Sequence, residues 1–536
     1  MPNSPAKHKL VAVPPPATPC PKIMTGAALK GFEKYYTDES RQRGTAEALV
    51  FPGNTAELAA ALMEAQKRRW PVTVSGARTG ITAGAVPEGG MVVSLERMNR
   101  VLGLKKIEDG NFAVRCEAGM VLDELRSVLR VGSDAELRLP ATDQKTLTEL
   151  RGQHFFFPPD PTETTATIGG IAACNASGAH TFRYGPARPY IQGLTVVLAD
   201  GSLLKLERGQ FVANAHNEFL LKKIEGSEVR VKLPGYRQPP TKNAAGYYSE
   251  ANMDLVDLFI GSEGTLGVIC EVELKLIHAP ETSSAAVLFF AAEEAAIRFI
   301  HEMRGQKEGL GLEAIEYFGP NALGFLRQSR RHNGAASGVP ACLPDTAAGA
   351  VYVDIGCAQN GLQNILSEIA EIAVASGADP EACWSAQSRD ERERLRSFRH
   401  ALPEAVNNRI AELQRGCAQI TKLGTDMAVP DDCLAAVIAM YRRELEQAGL
   451  EYVIFGHIGD NHLHVNILPH TLSEYEKGKA LYLKFAREVV NMGGSPAAEH
   501  GIGKLKREFL ERLVGKPGID DMRRVKQAFD PGNRLG

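Results

Sequence analysis

The chain has 536 residues, of which 44% are hydrophobic and 23% are charged, and its formal net charge is −3. This length is enough for two or more domains, and the small net charge argues against nucleic acid as the main partner. No apolar run approaches the roughly 18 residues that a transmembrane helix needs. Nine cysteines without paired spacing argue against a disulfide framework and favour a reducing compartment. We therefore expect a cytoplasmic protein, and peripheral attachment to the inner membrane remains an open alternative.

The predicted elements begin after a flexible, proline-rich leader over residues 1–40. An amphipathic helix is predicted at "NTAELAAALMEAQKRRW", where Asn54 and Glu57 have capping-box spacing. Short strands follow at "PVTVSG", "GMVVSL" and "FAVRCEAG", and two apolar runs around Asp200-Gly201 predict a hairpin. The stretch "DLFIGSEGTLGVICEVELKLI" adds strand material rich in Val and Ile.

From about residue 280 the pattern changes to longer helices that alternate with strands, as in "EEAAIRFIHEMRG" and "GAVYVDIG". The stretch 330–349 predicts an exposed loop inside this second region. The fold class is therefore α+β with two domains, and the boundary is expected near residue 280.

Two glycine-rich segments are candidates for cofactor binding. "TVSGARTGITAGAVPEGG" places Gly76, Gly80 and Gly84 at intervals of four, which suits a backbone N–H nest around a diphosphate. "PPDPTETTATIGGIAACNASGAHTFRYG" carries small and hydroxylated residues that suit close passage past a large planar ligand. The first segment is not a Rossmann or P-loop fingerprint. A ligand-free hairpin loop and a tightly packed buried loop are the respective alternatives.

A third segment, "FGHIGDNHLHVN", holds three histidines within eight residues. Side chains alternate faces along a strand, so His462, His464 and Asn466 would share one side. A turn at Gly459–Asn461 would fold the chain back and bring His457 towards His464. The residues alone leave two interpretations open, a metal site and an edge hairpin with solvated histidines.

Six motifs occur in the order, and near the spacing, of a known family: "VSGARTGITAGAVP", "PPDPTE…TIGG…NASG…RYG", "TKNAAGY", "FIGSEGTLGVI", "FGHIGDNHLHVN" and "AAEHGIG". From about residue 45 to the end, the chain resembles the FAD-binding D-2-hydroxy-acid dehydrogenases. That family includes D-lactate dehydrogenases, D-2-hydroxyglutarate dehydrogenase and the glycolate oxidase catalytic subunit.

The resemblance implies an FAD-binding domain of the vanillyl-alcohol oxidase type and an α/β cap domain of the FAD-linked oxidase C-terminal type. Residues 41–280 would form the FAD domain and 281–505 the cap with a metal site, while 506–536 would return to the FAD domain. FAD is expected to be non-covalent, because the first glycine loop lacks the histidine that carries covalent flavin in relatives.

The resemblance also implies individual cofactor-binding residues. They are Ser75, Gly76, Arg78, Thr79, Gly80, Gly84, Pro159, Asp160, Thr165, Gly169, Gly170, Asn175, Ser177, Gly178, Tyr184, Lys242, Asn243, Glu263, Gly264 and Val268.

The resemblance further implies that His457, His464 and Glu499 bind a divalent metal, whose open positions would take the substrate. Two imidazoles and a carboxylate favour Zn²⁺, with Mn²⁺ or Fe²⁺ as alternatives. His462 is then extra, and a solvated or outer-sphere role is expected for it rather than ligation.

Three further residues complete the predicted catalytic set. His500 resembles the family's catalytic base, and Asn466 is expected to contact the substrate carboxylate. Arg399 lies where relatives carry a substrate-region arginine, although a surface arginine is an equal alternative. In relatives selective for substrates with a second carboxylate, a lysine stands at the position of Gly424. Its absence weakens the prediction of D-2-hydroxyglutarate as substrate, unless Lys422 takes the place of that lysine.

The expected activity is oxidation of a D-2-hydroxy acid to the 2-oxo acid, with D-lactate favoured over glycolate and D-2-hydroxyglutarate. The acceptor is expected to be a quinone, a cytochrome or an electron-transfer flavoprotein. Contact with a membrane surface or partner subunit, and homodimerisation, stay open. The alternative of another class is a non-redox flavin-dependent transferase resembling alkylglycerone-phosphate synthase; a flavin-bearing assembly subunit without catalysis is a further one.

Overall fold

A computed structural model of the chain describes residues 10–130, 141–222 and 226–536, so residues 1–9 of the predicted leader lie outside it. The α-helices span Thr55–Arg68, Leu122–Arg130, Ala141–Arg151, Ile168–Cys174, Thr181–Tyr184, Leu255–Phe259, Glu293–Gly305, Pro320–Asn333, Leu362–Ser376, Arg389–Gly416, Leu434–Ala448, Leu472–Asn491 and Arg507–Phe529. The strands span Leu10–Val11, Met24–Thr25, Ala48–Val50, Val72–Ser75, Met91–Ser94, Val101–Lys106, Phe112–Glu117, Phe155–Phe156, Ile191–Val197, Leu203–Glu207, Glu218–Lys222, Glu228–Lys232, Val268–His278, Thr282–Phe290, Leu312–Phe318, Gly349–Cys357, Trp384–Ser385, Leu423–Gly424, Met427–Ala428, Tyr452–His457 and His462–Ile467. Over these described ranges, no helix has both the length and the apolar character needed to cross a bilayer.

The first long helix begins where its capping pattern predicts. The side chain of Asn54 accepts a hydrogen bond from the N–H of Glu57, and the Glu57 carboxylate accepts one from the N–H of Gly53 (2.8 Å). These bonds satisfy donors that a helix start otherwise leaves unpaired. The buried face, which includes Leu58 and Leu62, packs on a small, mainly parallel sheet. The first glycine loop leaves this sheet at its strand Val72–Ser75.

A second, antiparallel sheet carries the larger core of the N-terminal region. Its central strand, Val268–His278, pairs with Ile191–Val197 on one side and with Phe112–Glu117 on the other. The predicted hairpin is present, since Leu203–Glu207 runs antiparallel to Ile191–Val197. The short helix Ile168–Cys174, from the second glycine segment, packs against this core.

The C-terminal region is built on a third sheet. Its strand order is Trp384–Ser385, Thr282–Phe290, Gly349–Cys357, Leu312–Phe318, Tyr452–His457, His462–Ile467 and Leu423–Gly424. Separate apolar clusters form on the two faces, one with helix Leu434–Ala448 and the other with helix Arg389–Gly416. The histidine segment therefore lies within a sheet covered on both sides.

The last residues of the chain pack back onto the N-terminal region. Val525 and Phe529 belong to the large N-terminal core, and Leu535 belongs to the cluster around the small sheet. The N–H of Val72 donates to the carbonyl of Arg534 (2.6 Å). The domain limits at 41–280, 281–505 and 506–536 stay a prediction.

Two expectations from the sequence are corrected. The stretch predicted as strand from residue 257 begins within the short helix Leu255–Phe259, which Asp254 caps, and extended strand begins only at Val268. The 330–349 loop is neither wholly loop nor wholly exposed. It starts inside helix Pro320–Asn333, and Val339 and Leu343 are buried because they pack in a core cluster.

Candidate active site

The histidine segment folds into the predicted hairpin, which we call the site hairpin (Tyr452–His457 and His462–Ile467). His457 lies directly opposite His462, and Phe455 lies opposite His464. Opposed residues share a face of the sheet, as do residues two apart. The three imidazoles consequently converge, with ring centroids 4.5 to 5.4 Å apart. A short 3₁₀ turn and Asn461, with φ 52°, close the hairpin.

Glu499 completes a cluster with these rings. One ligand atom from each of His457, His462, His464 and Glu499 lies within 4.8 Å of every other. Glu499 Oε2 is 3.4 Å from both His457 Nε2 and His462 Nδ1, and it is buried without a hydrogen-bond partner among the described residues. Its cationic neighbour is Lys242 Nζ at 3.4 Å, and a buried carboxylate oxygen without a hydrogen bond is a favourable acceptor for a further cation at the centre of the cluster.

The outer nitrogens of two imidazoles are already occupied. His457 Nδ1 lies 2.7 Å from Glu316 Oε1, and His464 Nδ1 lies 3.1 Å from the carbonyl oxygen of Thr425. Such partners fix ring orientation and leave the opposite nitrogen, Nε2, turned inward. Imidazoles and a carboxylate in a buried cluster of this size fit a divalent cation such as Zn²⁺.

The charges of the cluster perturb one another strongly. Burial alone would lower the pKa of His457, but the carboxylates of Glu316 and Glu499 raise it to about 9. Burial opposes ionisation of Glu316, yet His457 and Arg399 lower its pKa to about 2. Burial lowers the pKa of His462 to about 4. Strong perturbations of this kind mark functional sites when they coincide with a cavity.

His500 is held beside the cluster by Asp426. The backbone N–H groups of Glu499 and His500 both donate to the Asp426 carboxylate at 3.0 Å, and Lys506 Nζ donates to it at 2.6 Å. His500 Nδ1 is 3.4 Å from Asp426 Oδ2, and the His500 ring stacks on that of His464. Burial lowers the pKa of His500, Asp426 raises it and Lys506 lowers it further. A neutral imidazole near pH 7 follows.

One cavity of about 430 Å³ joins this cluster to both glycine segments. Its wall includes His457, His464, Glu499 and His500. The predicted cofactor residues that line it are Gly76, Arg78, Thr79, Gly80, Gly84, Gly169, Gly170, Ser177, Glu263, Gly264 and Val268. A flavin in this cavity would therefore lie next to the histidine cluster.

Other predicted cofactor residues do not line this cavity. They are Ser75, Pro159, Asp160, Thr165, Asn175, Gly178, Tyr184, Lys242 and Asn243. Asp160 is paired with Arg126 (3.2 Å), and the hydroxyl of Tyr184 donates to Glu313 across to the third sheet. Lys242 Nζ lies 3.4 Å from Glu499 Oε2, which places it beside the cluster of histidines and Glu499 instead.

The structure decides between alternatives for His462 and Arg399, and it also places Asn466 and Lys422. His462 is fully buried, so its predicted solvated role is wrong. Arg399 is only 10% exposed and its Nε lies 3.6 Å from Glu316 Oε2, so the surface-arginine alternative is also wrong. Asn466 is buried two residues beyond His464 in the same strand. Lys422 is exposed and donates to Asn407 (2.7 Å).

Sequence reasoning missed several residues of this region. Glu316 carried a signal, since it is a carboxylate within the otherwise apolar run "LEAIEYF". Thr167 caps the helix Ile168–Cys174 by accepting from the N–H of Gly170, and a Cβ on Gly76 would lie 2.5 Å from its hydroxyl. Asp426 had no local signal, because its partners are about 75 residues away in sequence.

Comparisons with known proteins identify two domain types in the chain. The sequence model of the FAD-linked oxidase C-terminal domain matches residues 279–536, and that of an FAD-binding domain matches 46–137 and 140–207. The chain carries both domains of the FAD-linked oxidases. It is therefore an enzyme whose cofactor is FAD.

Several curated members of this family resemble the chain along most of its length. A D-lactate dehydrogenase of Anaerostipes hadrus is 29% identical over 93% of this chain and 90% of its own length. A glycolate oxidase subunit of Bacillus subtilis is 28% identical over 91% and 87%. A D-2-hydroxyglutarate dehydrogenase of Xanthomonas citri is 27% identical over 90% and 87%.

Solved structures confirm the fold class. An alkyldihydroxyacetonephosphate synthase superposes with a TM-score of 0.60 at 14% identity, covering 100% of this chain and 88% of the other. At that identity the likeness concerns the fold alone. The expected combination of an FAD-binding domain with a mixed α and β C-terminal domain is confirmed.

Proposed function

We propose that the chain is an FAD-dependent, metal-assisted dehydrogenase that oxidises a D-2-hydroxy acid, with D-lactate favoured, to the 2-oxo acid. The observation that carries this proposal is the single cavity shared by the two glycine segments and the His457–His464–Glu499 cluster. The names of the similar dehydrogenases support the substrate class. Bound FAD would supply the acceptor for the C2 hydride at its N5, and the protein would take the hydroxyl proton.

His457, His464 and Glu499 would hold the divalent ion, which supplies Lewis acidity that lowers the pKa of the substrate hydroxyl. His500 is the proposed proton acceptor. Its Nδ1 faces Asp426, so Nε2 is the atom that takes the hydroxyl proton. The glycine segments line the same cavity and would hold the flavin beside this cluster.

Arg399 and Asn466 are proposed to bind the substrate carboxylate. Arg399 uses its Nε towards Glu316 (3.6 Å), so its terminal nitrogens are the ones proposed to contact the substrate. D-2-hydroxyglutarate and glycolate are the alternative substrates. D-Lactate is preferred to hydroxyglutarate because Gly424 brings no cation, and Lys422 is exposed and already bonded to Asn407.

The remaining proposals concern partners and the rival class. We propose an external electron acceptor, which is a quinone, a cytochrome or an electron-transfer flavoprotein. One relative from Saccharomyces cerevisiae is a cytochrome-type D-lactate dehydrogenase.

The rival class is the flavin-dependent transferase, which shares the fold at 14% identity. A likeness of fold at that identity does not favour the transferase reaction for this chain. His500 lines the cavity with Asp426 behind its Nδ1, and this arrangement favours proton abstraction.

Anaerobic visible spectroscopy tests the proposal. The purified holoprotein is mixed with D- and L-enantiomers of lactate and 2-hydroxyglutarate, and with glycolate, before and after chelator treatment. Bleaching of the flavin band by a D-acid, lost on chelation and restored by Zn²⁺ or Mn²⁺, is the expected result. A flavin that no hydroxy acid bleaches would overturn the dehydrogenase assignment and move the transferase to first place.

A further inference from the structure

His462 has no part in the mechanism above, yet it is the most deeply buried of the clustered histidines. Its side chain is 0% exposed. Neither of its ring nitrogens makes a hydrogen bond to any residue that the structure describes. A buried imidazole with two unsatisfied nitrogens is unfavourable, so some partner must lie in the space that it faces.

The contacts of His462 define which nitrogen faces which partner. Nδ1 lies 3.4 Å from Glu499 Oε2, and Nε2 lies 3.1 Å from Asp426 Oδ1 outside hydrogen-bond geometry. A small rotation of the ring would let Nε2–H donate to Asp426. That arrangement would be a carboxylate–histidine–metal triad, with Nδ1 turned towards the cluster.

The spacing around Glu499 matches a ligand set. His457 Nε2 and His462 Nδ1 each lie 3.4 Å from Glu499 Oε2, which is too long for a good hydrogen bond. Ligands about 2.0–2.2 Å from a tetrahedral ion are separated by roughly 3.3–3.6 Å. His457 Nε2 and His462 Nδ1 therefore each lie at the distance from Glu499 Oε2 that is expected between two ligands of one ion.

We propose that His462 is a fourth protein ligand of the metal site, binding through Nδ1 while Asp426 orients its ring. The site is then composed of three imidazoles and one carboxylate, rather than the two imidazoles and one carboxylate that the family resemblance implies. This inference rests on the metal site of the proposed function, and it concerns residues that this chain carries on its own hairpin.

Two chemical consequences follow from a third imidazole. An imidazole-rich set favours Zn²⁺, Co²⁺ or Ni²⁺ over Mn²⁺ and Mg²⁺, which prefer oxygen ligands. Four protein ligands also fill a tetrahedral ion. A chelating hydroxy acid would therefore bind only if the ion expands to five or six ligands, which Co²⁺ and Ni²⁺ accept readily.

The test is to count imidazole ligands by X-ray absorption at the zinc edge of holoprotein loaded with one equivalent of Zn²⁺. Wild type is compared with His462→Gln, His464→Gln and the matched control His470→Gln, whose ring lies on the exposed surface beside Glu451. We expect three imidazoles in wild type and the control, and two in each of the other variants. Competition with a chelator should show a loss of zinc affinity in His462→Gln greater than about 100-fold, since losing an outer-sphere partner costs ~10–100-fold.

Two imidazoles in wild type, or a count that His462→Gln leaves unchanged, would overturn the inference. Failure to retain zinc in wild type would also overturn it. The wild-type count decides even if a variant fails to fold. The count is independent of turnover, so two imidazoles in a protein whose flavin a hydroxy acid bleaches would reject only the fourth ligand. Three imidazoles with no bleaching would reject only the proposed reaction.

Discussion

At the scale of single residues, the protonation of His500 is set by groups that never touch the substrate. Lys506 lowers the pKa of His500 directly. Lys506 also neutralises part of the charge of Asp426, and that negative charge raises the pKa of His500. Removing Lys506 therefore raises the pKa of His500 on both counts. Since only the neutral imidazole accepts a proton, activity falls as pH drops through this pKa.

We expect Lys506→Met to move the acid limb of the kcat/KM profile to higher pH, while the alkaline limb stays in place. The measurement is steady-state dye reduction across pH 5 to 9, with Lys477→Met as the control. Lys477 donates to a backbone carbonyl on a distant surface, so its profile should match wild type. An unmoved acid limb in Lys506→Met would remove His500 from the role of base.

A second residue-scale prediction concerns Glu316, which carries charge but is not in the predicted ligand set. Glu316→Gln keeps an oxygen beside His457 Nδ1 but removes the charge that raises the pKa of His457. Loss of such an outer partner typically weakens metal binding by ~10–100-fold. We expect that loss in chelator competition, together with a raised KM, because Arg399 also loses its ion pair. The exposed Glu302→Gln should change neither quantity.

At the scale of elements, the loop that carries His500 depends on glycine. Gly503 has φ +49°, and a Cβ there would overlap the carbonyl oxygen of Thr82 in the first glycine segment. The Glu263 carboxylate fixes the same loop by accepting from the N–H groups of Ile502 (2.9 Å) and Gly503 (2.8 Å). The loop is thus built against the flavin cavity and cannot relax away from it.

We expect Gly503→Ala to lower the flavin content of the purified protein and to destabilise it by more than about 1 kcal/mol, since a left-handed φ alone costs an alanine roughly that much. Gly324→Ala is the matched control. Gly324 lies in helix Pro320–Asn333 with open space around its Cβ position, so alanine should be neutral or slightly stabilising. Equal flavin content and equal urea midpoints in the two variants would contradict this account of the loop.

Elements with a strong local signal were predictable from the sequence, and contacts between distant segments were not. The capped helix after Asn54 and the hairpin around Asp200-Gly201 follow from capping and turn chemistry, and both are present. Residues 257–259, the end of the short helix Leu255–Phe259, were predicted as strand because a short apolar run has no distinctive period. Asp426 and Glu316 were missed because their importance arises only when strands far apart in sequence become neighbours.

At the scale of the whole molecule, the site exists only where the N-terminal and C-terminal regions meet. The glycine segments belong to the N-terminal sheets, whereas the site hairpin belongs to the third sheet. Polar contacts join the two regions around the cavity: His180 lies 3.1 Å from Asp354, and Lys242 lies 3.4 Å from Glu499. These contacts therefore contribute to holding the two regions together.

Tyr184 distinguishes a contact between the regions from a contact with the cofactor, because its hydroxyl donates to Glu313 of the third sheet although the sequence predicts it as a cofactor contact. Tyr184→Phe leaves the buried Glu313 without this partner, at a cost of about 1–3 kcal/mol, and keeps the apolar ring against Phe156.

We expect Tyr184→Phe to lower the urea midpoint of the holoprotein while changing the FAD dissociation constant by less than threefold, as measured by flavin fluorescence. Tyr190→Phe is the control, since it loses a hydrogen bond that stays within the N-terminal region (to the carbonyl of Tyr184, 2.8 Å). A fall in FAD affinity of tenfold or more in Tyr184→Phe alone would restore the cofactor role, because the ring cannot be both remote from the flavin and essential to its binding.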